Sequence, residues 1–211
     1  MGYTRRNTRQ GTRRQIGRGK MEDLFPKKSG VKYSKLKLTP EGEYSITKRK
    51  DGETLIKHMK EILKTTKDKT ITDLTGNVGG DTILFGIHFK EVHSIEINPE
   101  NFEVLKNNVE VFNLPNVMLH LGDSTKIFDW KTHVVYIDAP WGGPDYKSKI
   151  DMDLYLGDKR VDEFVKELFQ KENAPSHVFL KVPRNYNFDR FSDMNVKKFK
   201  IRGYYLISLI K

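Results

Sequence analysis

The chain of 211 residues reads as an α/β fold: a mainly parallel seven-stranded sheet, helices on both faces, and an antiparallel last strand. Three observations predict it. From residue 70 onward, short apolar runs alternate with segments of helical period. The run His133-Val-Val-Tyr-Ile137 is apolar almost throughout, as a strand buried on both faces is. The last two runs are joined only by Arg202-Gly203, which leaves room for a hairpin and not for a crossover helix.

The elements follow in order. Residues 1–38 hold 12 Lys/Arg and 2 Asp/Glu, whereas residues 39–211 hold 26 of each, so the whole net charge of +10 sits at the N-terminus. Residues 1–20 carry four glycines and little apolar surface, too little to fold alone. We therefore expect a basic, disordered arm over 1–30 that grips polyanion phosphates, a solubilising or nuclear-entry tail being the plainer alternative. An N-terminal extension over 31–65 comes next, irregular or short-stranded at 31–44, where Pro40 and Gly42 interrupt the pattern. Asp51 is placed to cap a helix to about Lys64, with Leu55, Met59, Ile62 and Leu63 on one face. The main domain spans 66–211. Its strands are expected at 70–75, 92–97, 117–121, 133–138, 177–182, 196–201 and 204–210, and its helices at 79–89, 99–112 and 161–170. No apolar run reaches membrane-spanning length, and no secretory signal is present, so an intracellular place, nucleus or cytoplasm, is expected. Without cysteine there is no disulfide or thiol nucleophile, and the six histidines fall in no metal-ligand spacing, so no metal is predicted. A neutral main domain behind a basic arm fits a monomer.

Chemistry concentrates at the carboxyl ends of the predicted strands. Asp73-Leu-Thr-Gly-Asn-Val-Gly-Gly80 joins the first strand to a helix, and Gly76, Gly79 and Gly80 remove side chains that would keep a ligand from the backbone. Glu96 ends the second strand 23 residues after Asp73, where an acid commonly takes two ribose hydroxyls. Asp123 follows the third strand and Asp138 the fourth. Singly, each acid is more often a solvated cap or loop residue; four at one rim point to a nucleoside-bearing cofactor. There is no Gly-x-x-x-x-Gly-Lys loop for ATP. The pattern fits S-adenosylmethionine best, with Asp73 near its amino group, Glu96 on ribose and Asp123 on adenine, and Thr75, Ile97 and Ser124 flanking them.

The most informative stretch is Asp138-Ala-Pro-Trp-Gly-Gly-Pro-Asp145. Pro140 and Pro144 stiffen the loop, and two glycines follow the tryptophan. A flat, electron-poor ring on Trp141 with an exocyclic amine held at Asp138 suits this arrangement, which is what an aminomethyltransferase needs.

With these residues in place the chain resembles the trimethylguanosine synthases, cap-specific guanine-N2 methyltransferases. The matching elements are Glu41-Gly-Glu-Tyr-Ser-Ile-Thr47, Val78-Gly-Gly-Asp-Thr-Ile83, Ile95-Glu-Ile-Asn-Pro99, Asn107-Asn108, Gly122-Asp123, Pro183-Arg-Asn185 and, most specific, Pro140-Trp-Gly-Gly-Pro-Asp-Tyr146. The resemblance covers roughly residues 33–211. It implies a Rossmann-like class I methyltransferase fold, S-adenosylmethionine as cofactor, and a capped RNA bearing N7-methylguanosine as partner. It also implies site roles. Asp138, Pro140 and Trp141 would be catalytic, with the backbone carbonyls of Ala139 and Pro140 helping Asp138 to orient the amine. Tyr44, Ser45 and Thr47 would form a flap over cofactor and cap. Arg184 would meet the cap phosphates, with Lys181 and Lys48 behind it, the lysines being more often solvated surface charges, and Asn185 would join the substrate-binding residues. The chain departs from the family's pattern at two places, and the first keeps the acceptor open. Asp138 and Ala139 replace the family's serine and proline, and Asp there is similar to the Asp-Pro-Pro-aromatic signature of other aminomethyltransferases acting on tRNA, rRNA or DNA. Asn77 stands where the family has glycine, and Asn tolerates the positive φ such a turn requires. A cap- or RNA-binding protein with a vestigial cofactor pocket is the reading from a different class.

Overall fold

The computed structural model describes residues 18–211. In chain order the elements are α1 (Arg18–Leu24), α2 (Pro40–Ser45), α3 (Arg49–Leu63), β1 (Thr70–Asp73), α4 (Gly80–His88), β2 (Glu91–Glu96), α5 (Pro99–Phe112), β3 (Val117–Leu121), α6 (Ser124–Ile127), β4 (Val134–Ile137), β5 (Tyr155–Leu156), β6 (Lys159–Arg160), α7 (Val161–Gln170), β7 (His177–Pro183), β8 (Val196–Ile201) and β9 (Tyr204–Ile210). Seven strands form one sheet in the order β3-β2-β1-β4-β7-β9-β8, and β5 and β6 form a separate hairpin. β3, β2, β1, β4 and β7 pair in parallel, and β9 runs antiparallel between β7 and β8. The expected class of fold is therefore present.

Alternation along the central strands builds two cores. Val134, Tyr136 and Phe179 face α3 and α4, meeting Leu55, Met59 and Phe85. Their neighbours Val135, Ile137, Val178 and Leu180 face α7, meeting Val165 and Leu168. Strands buried on both faces carry no polar face, which is why the run at 133–137 is apolar. The edge strand β8 exposes Lys197, Lys198 and Lys200, charges that discourage edge-to-edge pairing.

The N-terminal region departs from expectation. Residues 1–17 of the expected arm lie outside the described residues. Residues 18–30, assigned to the arm by their charge, are instead packed: Phe25 is fully buried beside Met21, Leu24, Tyr33 and Phe112. Charge masked a small apolar knot. Residues 40–45, read as interrupted by Pro40 and Gly42, form α2. Pro40 stands in its first turn, and the Thr39 hydroxyl caps it by accepting from Gly42 N at 2.9 Å. Gly42 is needed for contact, since a Cβ there would lie 2.4 Å from Val78. α2 thus rests directly on the turn after β1. α3 starts at Arg49, with Asp51 inside its first turn rather than at its cap.

Candidate active site

The order of the sheet reverses between β1 and β4, and a cleft opens there beyond the strand ends, as the switch point of an open α/β sheet dictates. Its volume is about 760 Å³. The walls come from the turn after β1, the ends of β2, β3 and β4, the segment 44–47, the loop after Trp141, and the β5–β6 hairpin.

At the glycine-turn end of the cleft, where the cofactor is expected, Asn77 adopts φ +47, the left-handed conformation expected of it. The glycines of this turn serve packing more than ligand approach. A Cβ on Gly76 would lie 2.4 Å from Ser94 Oγ, and one on Gly80 would lie 2.6 Å from Ile46. Gly79, at φ +97, is not in the cavity wall. Asp73 also departs from expectation. It is fully buried beneath the turn and does not line the cleft. Its Oδ1 accepts from Thr75 N at 3.1 Å and its Oδ2 from Thr82 Oγ1 at 2.7 Å. Burial pushes its carboxyl up to about 7, against the Thr82 hydrogen bond. Asp73 therefore shapes the turn. Glu96 does line the cleft and accepts from the backbone N–H of Asn77 at 2.6 Å and of Asn98 at 2.7 Å. Burial raises its carboxyl, the two N–H groups opposing the shift. Ile97, 60% exposed, offers an apolar shelf beside it. Asp123 and Ser124 lie across the cleft, where Gly157 of the β5–β6 hairpin closes over the Asp123 carboxylate. Asp123 also caps α6 through Thr125 N at 3.0 Å.

The acceptor end is a charged network. Asp138 N donates to Thr75 Oγ1 at 2.8 Å, which ties the end of β4 to the glycine turn. Asp138 Oδ2 accepts from Lys181 Nζ of β7 at 2.6 Å. Lys181 also donates to Thr47 Oγ1 at 2.9 Å, and Thr47 donates onward to Asp81 Oδ2 at 2.7 Å. Tyr136 OH donates to the same Asp81 oxygen at 3.0 Å. Burial pushes the Asp138 carboxyl up to about 6; Lys181 works against the shift and Asp81 adds to it. Burial alone would lower the Lys181 ammonium, but Asp138 and Asp81 outweigh it and hold it above its ordinary value. Lys181 therefore cannot serve as the surface phosphate ligand that the sequence suggested.

Trp141 stands over this network, half-buried. Lys181 Nζ lies 5.5 Å from its ring centre, and Tyr146 meets it edge-on at 5.0 Å. Ala139, Pro140, Tyr44 and Ser45 line the same cleft, with Tyr44 70% exposed. Ser45 Oγ accepts from Asn77 Nδ2 at 2.7 Å, so the 44–47 segment is pinned to the cofactor turn.

Arg184 and Lys48 are exposed but outside the cavity wall; the Arg184 guanidinium donates to the Arg202 carbonyl in the β8–β9 turn. Asn185 is not in the wall either. It donates to the carbonyls of Tyr146 at 2.8 Å and Lys149 at 2.6 Å, anchoring the loop that follows Trp141. Besides the paired Lys181, the basic residues at the cleft among the described residues are Lys147, in its wall, and Lys149, whose Nζ lies close to Gly142. Sequence reasoning missed Lys147, Tyr146 and Asp81. A first-turn acid on a helix signals an N-terminus, and nothing local says that Asp81 turns to a cavity.

Of the five buried polar side-chain atoms without a partner among the described residues, three belong to the cleft: Asn77 Oδ1, Asp81 Oδ1 and Trp141 Nε1. Buried polar groups are normally paired, so these await a ligand with donors toward the cofactor end and an acceptor near Trp141. An adenosyl amino acid and a nucleotide meet that requirement.

A family model described as RNA cap guanine-N2 methyltransferase matches residues 68–205. An uncharacterized protein of Acanthamoeba polyphaga mimivirus is 32% identical over 69% of this chain and 59% of its own. The trimethylguanosine synthase of Schizosaccharomyces pombe is 30% identical over 50% of this chain and 46% of its own. The chain thus matches only about half the length of these relatives. Among solved structures, a precorrin-6y methyltransferase from Geobacter metallireducens superposes with a TM-score of 0.61 at 14% identity, covering 83% of this chain and 94% of that one. A mutant of MtNAS in complex with S-adenosylmethionine superposes with a TM-score of 0.58 at 11% identity, covering 76% and 62%. At such identities the likeness speaks for the fold.

Proposed function

The chain belongs to the RNA cap guanine-N2 methyltransferase family, and from that premise we propose that it methylates the exocyclic N2 of N7-methylguanosine at the 5′ end of a capped RNA. Methyl transfer with S-adenosylmethionine as cofactor is the family's chemistry. When bound, the cofactor supplies a methyl group on a sulfonium that departs as a neutral thioether. Glu96 is the residue for the ribose hydroxyls, Asp123 for the adenine amine, and Ile97 for the face of the base.

The observation that carries the reading is the pairing of Asp138 with Trp141 at the acceptor end of the same cleft. Trp141 offers a face to the guanine ring. Lys181 already lies near that indole, so the gain from a cationic ring falls at the lower end of the cation–π range, about 0.5–1 kcal/mol. Lys181 occupies Asp138 Oδ2, and no hydrogen bond falls on Oδ1 among the described residues. That oxygen accepts from the N2 amine, turns its lone pair outward, and stabilises positive charge developing on nitrogen. Its carboxyl, near 6, is also a fit acceptor for the proton the methylated amine sheds.

The test is methyl transfer from labelled S-adenosylmethionine to cap analogues with and without the N7-methyl group. We expect transfer to the N7-methylated analogue, favoured roughly two- to fivefold over plain guanosine. A second reading has an observation of its own: an aspartate with a buried cationic partner stands where the family has serine, which suits an amine on another nucleic acid. No transfer to either analogue, with cofactor binding intact, decides for that reading.

A further inference from the structure

Asp73 was the acid expected at the cofactor's amino group, yet both its oxygens are occupied beneath the turn. Asp81, in the first turn of α4 and in the cavity wall, is the carboxylate whose unpartnered oxygen is buried among the described residues. Thr47 and Tyr136 donate to its Oδ2 from two different elements, at 2.7 Å and 3.0 Å, which fixes the side chain. Its Oδ1 is buried and has no hydrogen-bond partner among the described residues. Among the described residues the one buried cation nearby, Lys181, does not meet this need, because its Nζ is engaged by Thr47 Oγ1 and Asp138 Oδ2. Asp81 and Asp138 against Lys181 leave the network one negative charge in excess. An unpaired, buried carboxylate oxygen is costly in the free protein and demands a charged donor when the site fills.

We propose that Asp81 Oδ1 receives the α-ammonium of the cofactor's methionine moiety. Of that ligand's two cationic centres only the ammonium carries N–H groups, so only it can satisfy a hydrogen-bond acceptor. Thr47 and Tyr136 are the positioning residues, and through Thr47 and Lys181 the ammonium site is linked to Asp138 at the acceptor end. The proposal rests on S-adenosylmethionine being the cofactor and is independent of which amine is methylated.

Calorimetric binding tests it without turnover. The ligands are S-adenosylhomocysteine and its deaminated analogue, in which hydrogen replaces the α-ammonium. The wild type should lose roughly 10- to 100-fold in affinity on deamination, the worth of a hydrogen bond between charged groups. Asp81→Asn should weaken S-adenosylhomocysteine by a similar factor and leave the deaminated analogue within about threefold, a coupling that general damage cannot mimic. Asp73→Asn should change both ligands by one common factor. Equal affinity of the wild type for the two ligands overturns the proposal without any variant having to fold, and so does equal weakening of both by Asp81→Asn. Failure of the wild type to bind either ligand overturns the cofactor reading itself.

Discussion

At the end of β4, Asp138 holds one carboxylate oxygen against Lys181 of β7 and keeps the other free of hydrogen bonds among the described residues. Strand alternation locates a carboxylate at a strand's end, but Lys181, 43 residues later on β7, reaches it only because β4 and β7 are neighbours. For the same reason Lys181 was misread as a surface cation: a lysine inside an apolar strand discloses neither its depth nor its partner. The pair makes a pH prediction. In the proposed reaction Asp138 can take the shed proton only when ionised, and its carboxyl lies near 6. The rate constant kcat should therefore be flat from about pH 7 to 8 and fall toward tenfold per unit below about 6. In Lys181→Met the ion-pair stabilisation of the carboxylate is gone and Asp81 still repels it, so this limb should move to higher pH. A pH–rate profile of both proteins checks this, and an unmoved limb removes Asp138 from the proton's path.

Elements with a strong period, α5 and the parallel strands, were placed within a residue or two. α2, α6 and the β5–β6 hairpin were not anticipated, since pieces of two to six residues owe their form to capping and to neighbours rather than to periodicity. Trp141's loop is an example with consequences. Its Pro-Trp-Gly-Gly-Pro sequence is plain, but its position is set by Asn185, whose amide holds two loop carbonyls. Asn185→Ala should free the loop at a cost of about 1–2 kcal/mol in those hydrogen bonds. The expected result is a KM for the acceptor raised about tenfold, with kcat and cofactor affinity within about threefold. Steady-state kinetics against both substrates will show it; an equal loss in kcat would mean that the loop also orders the reacting groups.

For the whole molecule, charge and fold are segregated. The main domain is balanced and the N-terminal 38 residues carry the excess. Composition disclosed that asymmetry but overran its boundary, because the packing of Phe25 and Met21 is invisible to a charge count. The useful truncation therefore removes residues 1–17 and spares α1. It should weaken binding of a capped RNA of some tens of nucleotides, reduce the slope of log affinity against log salt by several units for the five arginines removed, and leave a bare cap dinucleotide unaffected. Filter binding across a salt series measures it, and an unchanged slope excludes the arm from phosphate contact. Among the described residues no helix is long and apolar enough to cross a membrane. The central claim concerns one atom, the N2 of the cap guanine. The measurement that tests it most directly is nucleoside mass spectrometry of an N7-methylguanosine-capped RNA after incubation with the protein and S-adenosylmethionine. The account predicts that the new methyl appears on N2, as the dimethylated or trimethylated cap nucleoside. A new methyl on an internal base or a ribose, with the cap nucleoside unchanged, would contradict it.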